Sequence, residues 1–356
     1  MNMNKMTNLS LLFLIFIFIS CSQKQELTNT SEWREYLGGG DKNHYSTLNQ
    51  INKENIDQLS VAWTYSTPDS GQIQANAIMV DGILYGVSPS VRVFALDAST
   101  GKEIWISDNS IVAWHSSLRG VCYWESKDKK DKRIIYTVGP RLYALNAKNG
   151  KLIDTFGENG SVDLHEGLPS IAKNKFIISN TPGTIFEDKI IMPVRVSESA
   201  GSAPGDIRAF NVVTGKLEWT FHTIPYPGEM GYETFPKDAY TNVEVGSANN
   251  WAGMAIDRNR GIAYVPTGSA SYDFYGGNRE GTNLFSNCLL ALDAKTGKRI
   301  WHQQLVHHDI WDRDLPAPPN LVTIMRNGKN IDVVALVTKQ GYVYVFDRND
   351  GTPIFR

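Results

Sequence analysis

Cysteine is scarce in this 356-residue chain, with three residues, and neither sign of charge dominates, with 35 Lys+Arg against 37 Asp+Glu. A near-neutral balance removes the broad positive field that general nucleic-acid binding requires. Neither Cys122 nor Cys288 begins a Cys-x-x-Cys-His, which excludes a c-type haem attachment site. The two lie far apart in sequence, so a pair and two separate buried thiols both remain open. The apolar run from Leu9 to Ile19 is only eleven residues, short of the roughly 20 that span a bilayer as a helix. Apolar residues make up 42% and charged residues 20%, which excludes a disordered chain. What is plentiful is glycine (30), tyrosine (15) and tryptophan (9), the materials of a turn-rich β protein.

The apolar run follows Lys5 and suits the core of a secretory signal occupying residues 1–20. Phe18-Ile-Ser-Cys21 resembles a bacterial lipobox, in which the cysteine is lipidated and becomes the mature N-terminus; a plain signal peptide is the alternative. Residues 21–32 then form a lipidated Cys21 and a polar tether, and residues 33–356 the body. The expectation is a lipoprotein of the bacterial cell envelope, periplasm-facing or on the outer membrane, attached to the membrane only through its lipid.

The body repeats itself. Ala95-Leu-Asp-Ala-Ser-Thr-Gly-Lys-Glu-Ile-Trp105 returns as Ala291-Leu-Asp-Ala-Lys-Thr-Gly-Lys-Arg-Ile-Trp301, and again from Ala209 to Trp219. Weaker copies stand at 144–151 and 345–351. Each is an alternating strand, a tight turn closed by Asp/Asn and Gly, and a strand carrying Trp. Another strand-like run precedes most copies, such as Gly82-Ile-Leu-Tyr-Gly-Val. Short strands, glycine turns and about one tryptophan per unit predict an all-β propeller whose rings pack on the neighbouring blade. From Ala95 to Val345 the spacing averages about 62 residues, so the body holds about five blades. A small ring with large insertions and the front part of a longer ring both fit this count; the second is favoured.

The repeat resembles the tryptophan-docking motif of the quinoprotein dehydrogenases, eight-bladed propellers that use pyrroloquinoline quinone (PQQ). Segments outside the repeat strengthen the likeness. These are Trp33-Arg-Glu-Tyr-Leu-Gly-Gly-Gly-Asp with Val61-Ala-Trp, His307-His-Asp-Ile-Trp-Asp-Arg-Asp-Leu-Pro, and Thr338-Lys-Gln-Gly-Tyr-Val-Tyr. The likeness runs from about Trp33 to the C-terminus and favours the sugar (glucose-type) branch over the methanol-type branch. Eight blades at this spacing need roughly 500 residues, which implies that some three blades are missing and that the chain alone is weakly active or inactive.

The resemblance also implies a site. Asp312 matches the base that takes the substrate hydroxyl proton, and also a metal ligand. Lys339 matches the cation that hydrogen-bonds the quinone oxygens. Trp251 matches the indole beneath the planar cofactor, His115 a histidine facing its other side, and Arg119 an arginine pairing with a PQQ carboxylate. Glu198 matches a metal-binding glutamate. Ser269 stands where the methanol branch has an asparagine ligand, and the hydroxyl of Ser269 or Ser271 is the weaker oxygen donor left in its place. The implied metal is Ca2+, for which hard oxygen donors are suited; another divalent or a lanthanide ion is open. Arg195 is read as a PQQ or substrate contact or as a partner of Glu198, and Asp314 as structural. The implied reaction is oxidation of an alcohol or sugar hydroxyl by hydride transfer to PQQ, with electrons passed to a quinone or cytochrome c. The competing reading is a non-catalytic envelope propeller that scaffolds assembly. Substrate identity belongs to the loops and is not legible.

Overall fold

The computed structural model describes residues 32–108 and 118–355, and within them the chain is all-β apart from three single-turn 3-10 helices. The first blade comprises β1 (Ile78–Val80), β2 (Ile83–Val87), β3 (Val93–Asp97) and β4 (Glu103–Ile106). The second comprises β5 (Cys122–Glu125), β6 (Lys132–Val138), β7 (Arg141–Asn146) and β8 (Ser161–Asp163). Then follow β9 (Ile177–Ile178), β10 (Thr184–Phe186), β11 (Lys189–Met192), β12 (Arg195–Val196), β13 (Ile207–Asn211) and β14 (Leu217–Phe221). Of these, β10-β11-β13-β14 form the third blade, and β9 pairs with β12 apart from it. The fourth blade is β15 (Ala255–Asp257), β16 (Ile262–Pro266), β17 (Cys288–Asp293) and β18 (Arg299–Gln304). The fifth is β19 (Asn320–Arg326), β20 (Lys329–Val337) and β21 (Val343–Asp347). Four four-stranded blades and one three-stranded blade thus carry the five repeats, every pairing in them antiparallel and between chain neighbours except that β11 skips the short β12 to pair with β13.

The core is divided among the blade interfaces rather than gathered in one place. Ile78, Tyr85 and Trp105 of the first blade pack with Ile134, Tyr136 and Leu145 of the second. Ile191 and Trp219 of the third pack with Ile256 and Leu290 of the fourth. Tyr264 and Trp301 of the fourth pack with Val334 and Phe346 of the fifth. Burying both faces of each sheet in this way explains why the central strands read as continuous apolar runs.

The repeat motif is the clasp between blades. The Trp105 indole N–H donates to the Ala147 carbonyl, that of Trp219 to Ala294, and that of Trp301 to Arg348 (3.0, 3.1 and 3.0 Å). Under each ring lies a glycine of the next blade's turn with positive φ: Gly150, Gly297 and Gly351. A Cβ there would sit about 2.4–2.6 Å from the indole, so the turn needs glycine for both its backbone and its roof. Trp63, ahead of the first sheet, makes the same contact with Ala98 and Gly101 of the first blade. The second blade has no motif tryptophan. There Gly157 donates to the Thr214 carbonyl and packs against Gly215, backbone standing in for a ring. Cys122 and Cys288 are separate buried thiols, that of Cys122 pushed up to about 12 by burial.

Candidate active site

Antiparallel strands return their connections alternately to two ends, and the clasps occupy one of them. At the other end come the segments leading into β5, β10, β15 and β19 and the connections β11–β13, β16–β17 and β20–β21. Together they enclose a cavity of about 460 Å³. Arg119 enters from the first set, ahead of β5, Trp251 ahead of β15 and Asp314 ahead of β19; Arg195 and Glu198, Ser269 and Asp273, and Lys339 come from the second. The loops are tied to one another across blades. The Asn76 N–H donates to the Arg119 carbonyl, and the Arg119 N–H donates to the Asn180 carbonyl, each at 2.8 Å. The Thr181 hydroxyl accepts from the Arg119 guanidinium (3.0 Å) and donates to the Trp251 carbonyl (2.8 Å).

Trp251 is fixed twice over. Its indole N–H donates to Asp314 Oδ2 (3.0 Å), and the Arg119 guanidinium carbon lies 5.5 Å from the ring centroid. Asp314 also accepts the Ser269 N–H (2.7 Å) and pairs with Lys339 at 3.3 Å. Lys339 reaches further, to Asp312 Oδ1 at 2.7 Å. One ammonium therefore bridges two carboxylates at the edge of the cavity. Asp312 sits at φ +51°, the left-handed region a non-glycine residue rarely holds. Its side chain faces an adjoining hollow shared with Trp311, Arg313, Lys339 and Tyr342 rather than the main cavity.

Charge in the cavity is dense and nearly balanced, with Arg119, Arg195 and Lys339 against Glu198, Asp273 and Asp314. Burial works against the Lys339 ammonium, but the Asp312 hydrogen bond and the Asp314 and Asp312 charges outweigh it and raise its pKa. The Asp312 pKa is also raised, by burial first, with the Asp314 charge adding to it and the Lys339 hydrogen bond opposing. Asp273, 6% exposed, is pushed up to about 7 by burial and by the carboxylates of Asp314, Asp312 and Glu198. Such mutual repulsion is what a bound cation relieves. Among the described residues, no three His, Cys, Asp or Glu side chains converge as a ready-made metal centre. A cation here would be held by oxygens of mixed kind drawn from Glu198, Ser269 and the facing aspartates.

The structure therefore brings Arg119, Trp251, Arg195, Glu198, Ser269 and Lys339 into one cavity and places Asp312 at its rim through Lys339. Arg195 and Glu198 both line the cavity, and no ion pair among the described residues joins them. His115 lies outside the described residues. Nothing in the local sequence singles out Asp273 or Asp309. Asp273 joins the acidic wall, and Asp309 lies beneath the Asp312 loop, bonded to the Trp311 and Arg313 N–H groups (3.0 and 2.6 Å).

Residues 33–356 match the glucose/ethanol/alcohol dehydrogenase β-propeller domain, a PQQ family. The chain belongs to the PQQ-dependent dehydrogenase family. Within this family it is 35% identical over 345 residues to the quinoprotein glucose dehydrogenase of Escherichia coli, covering 90% of this chain and 43% of that protein. To the quinate/shikimate dehydrogenase (quinone) of Acinetobacter baylyi it is 34% identical over 356 residues, with the same coverage. The quinohemoprotein alcohol dehydrogenase of Comamonas testosteroni superposes with a TM-score of 0.78 at 27% identity, over 92% of this chain and 49% of that one. A europium-containing methanol dehydrogenase, 21% identical, shares the fold at a TM-score of 0.74, over 91% of this chain and 57% of that one. The chain thus spans a little under half the length of the curated relatives it matches.

Proposed function

We propose that this chain supplies the PQQ- and cation-binding side of a dehydrogenase that oxidises the hydroxyl of an alcohol or sugar. The observation that carries the reading is the Asp312–Lys339–Asp314 bridge set beside the Trp251 ring: one ammonium links a carboxylate at the rim to a cavity that has an aromatic face in its wall, which supports a base, a cation and a cofactor floor side by side. Trp251 offers a flat apolar face of the kind a planar ring system stacks on. Arg119 and Arg195 supply charge for its carboxylates, and the acidic wall with Ser269 supplies oxygens for Ca2+ or a related ion. Bound there, PQQ would supply the hydride-accepting carbonyl that no side chain offers.

The protein's own part is placement and charge. Asp312 stands at the rim, where it would take the proton of a substrate hydroxyl presented from the adjoining hollow. The Lys339 pKa is raised, so its ammonium stays charged through neutral pH and would offset negative charge on a cofactor held in the cavity. Electrons would pass on to a quinone or a cytochrome. Membrane attachment through Cys21 and an envelope location belong to the same proposal and rest on the leader sequence alone.

The test is a titration of the protein with PQQ in the presence of Ca2+, followed by tryptophan quenching. Trp251→Ala is expected to weaken binding at least tenfold, about 1.4 kcal/mol. Asp312→Ala is expected to bind PQQ and yet abolish dye reduction in any form of the enzyme that turns over. A well-folded protein that binds no PQQ would overturn the proposal.

A further inference from the structure

We infer that Asp309 is a positioning residue that turns the Ser269 hydroxyl into a pure acceptor aimed at a cation in the cavity; the inference rests on the PQQ-and-cation reading above. Asp309 is 3% exposed and its carboxylate is fully engaged. Oδ1 accepts the Trp311 N–H, while Oδ2 accepts the Arg313 N–H, the Asn287 amide (3.2 Å) and the Ser269 hydroxyl in a close contact. The buried Arg279 guanidinium donates to the Asp309 carbonyl and to that of Tyr272 (2.8 Å), fixing the backbone beneath it.

The direction of the Ser269–Asp309 bond follows from donor inventory. Asp309 Oδ2 already accepts the Arg313 N–H and so faces the Ser269 oxygen as an acceptor, which turns the single hydroxyl hydrogen of Ser269 toward it. The Asn287 amide carries two hydrogens, one held by the Arg313 carbonyl at 3.0 Å and the other shared between Asp309 Oδ2 and the Ser269 oxygen at 3.1 Å, so it uses at most one lone pair of Ser269. At least one lone pair is left, on an atom of a residue that lines the cavity with Glu198, Asp273 and Asp314. The Ser269 N–H is held by Asp314, which fixes the backbone, while Asp309 and Asn287 fix the hydroxyl. A serine hydroxyl is ordinarily free to rotate between donor and acceptor; here it is acceptor only, the state a hard cation needs. Since no three acidic or imidazole groups converge among the described residues, each neutral oxygen carries more of the affinity. Asp309 acts on the rim as well, because the two N–H groups it holds flank Asp312 in its left-handed conformation.

The experiment measures Tb3+ uptake by the full chain, by luminescence sensitised through tryptophan, and Ca2+ by competition, alongside PQQ quenching at saturating cation. Asp309→Asn is expected to lower cation affinity about ten- to a hundredfold, as loss of a group that orients a ligand does, with PQQ quenching preserved once cation is saturating. In a Ser269→Ala background the same change is expected to cost cation affinity nothing further. Wild-type cation affinity in Asp309→Asn, or an equal loss in both backgrounds, would overturn the role of Asp309. Should Asp309→Asn fail to fold, Ser269→Thr against Ser269→Ala decides: Thr keeps the hydroxyl and the affinity, and equal binding by both overturns the inference. A wild-type protein that takes up neither Tb3+ nor PQQ would remove the reading of the cavity itself, and this inference with it.

Discussion

Asp206 lies in the buried interior, 1% exposed, with one carboxylate oxygen accepting the Thr223 N–H at 3.0 Å and the other without a protein partner. Burial pushes its pKa up to about 6, against the opposing pull of His222, the Thr223 N–H and Arg208, with Glu229 adding slightly to the rise. The unfolded carboxyl loses its proton near pH 4. Between about pH 4 and 6 the folded chain therefore holds a proton that the unfolded chain has lost, and stability falls as pH rises across that window. Asp206→Asn keeps the acceptor for Thr223 and removes the charge. It is expected to match the wild type near pH 4 and to exceed it by on the order of 3 kcal/mol above pH 6. Urea unfolding at several pH values checks this, and parallel stability curves would refute it. Trp251 and Lys339 were legible in the sequence because each sits in a distinctive local string. Asp309 and Asp273 were not, because what makes them special is contributed by other segments. Asp309 meets Ser269 forty residues upstream and Asn287 at the far end of the same β16–β17 connection, and no spacing along the chain encodes that meeting.

At the scale of the element, the clasp turns were the most legible part of the molecule, since glycine, a small polar closer and tryptophan recur in one register. Structure adds the reason glycine is confined there. Gly297 has φ +72° and the Trp219 ring 2.5 Å from where a Cβ would lie, whereas Gly328 has φ +74° and open space. Gly328→Ala is expected to cost only the left-handed penalty of about 1–2 kcal/mol. Gly297→Ala carries that penalty plus displacement of the indole, typically a further 1–3 kcal/mol for overpacking. Thermal unfolding of the two variants separates the contributions, and equal losses would show that the ring yields freely. The insertion between β14 and β15 escaped the sequence reading, having neither strand alternation nor helical period. It folds on its own small cluster of Ile224, Phe235, Ala239 and Val245, and delivers Ser247, Asn249 and Trp251 to the cavity.

Across the whole molecule, the segment from 32 to 42 does what no single blade can. Trp33 exchanges backbone hydrogen bonds with Met79 on the first blade, and Arg34 pairs with Glu125 on the second (3.1 Å). The Gly40 carbonyl accepts the Ile256 N–H on the fourth (2.8 Å), and that of Asp41 accepts the Leu321 N–H on the fifth (2.9 Å). Lys42 is buried with it, its pKa lowered by burial against the opposing pull of Glu35. A chain beginning at Asn43 would leave those backbone groups without partners. It is expected to lose about 3–6 kcal/mol, at roughly 1 kcal/mol per bond, and to unfold in separate steps, since the blade sheets otherwise pack on their neighbours and only cavity loops, such as Arg119 over Trp251, reach further. Noncoincident fluorescence and circular dichroism transitions in urea would show this, and a single wild-type transition would refute it.

The clasps also have a direction: every motif tryptophan belongs to one blade and every glycine seat to the blade made after it. On the ribosome, where chains grow at about 5–20 residues per second, the 45, 78 and 50 residues that separate Trp105 from Gly150, Trp219 from Gly297 and Trp301 from Gly351 leave each indole waiting roughly 2–16 s for its seat to emerge. The nascent protein thus carries at most one unseated motif tryptophan at a time, and none while the second blade is followed by the third, so each clasp closes before the next one opens.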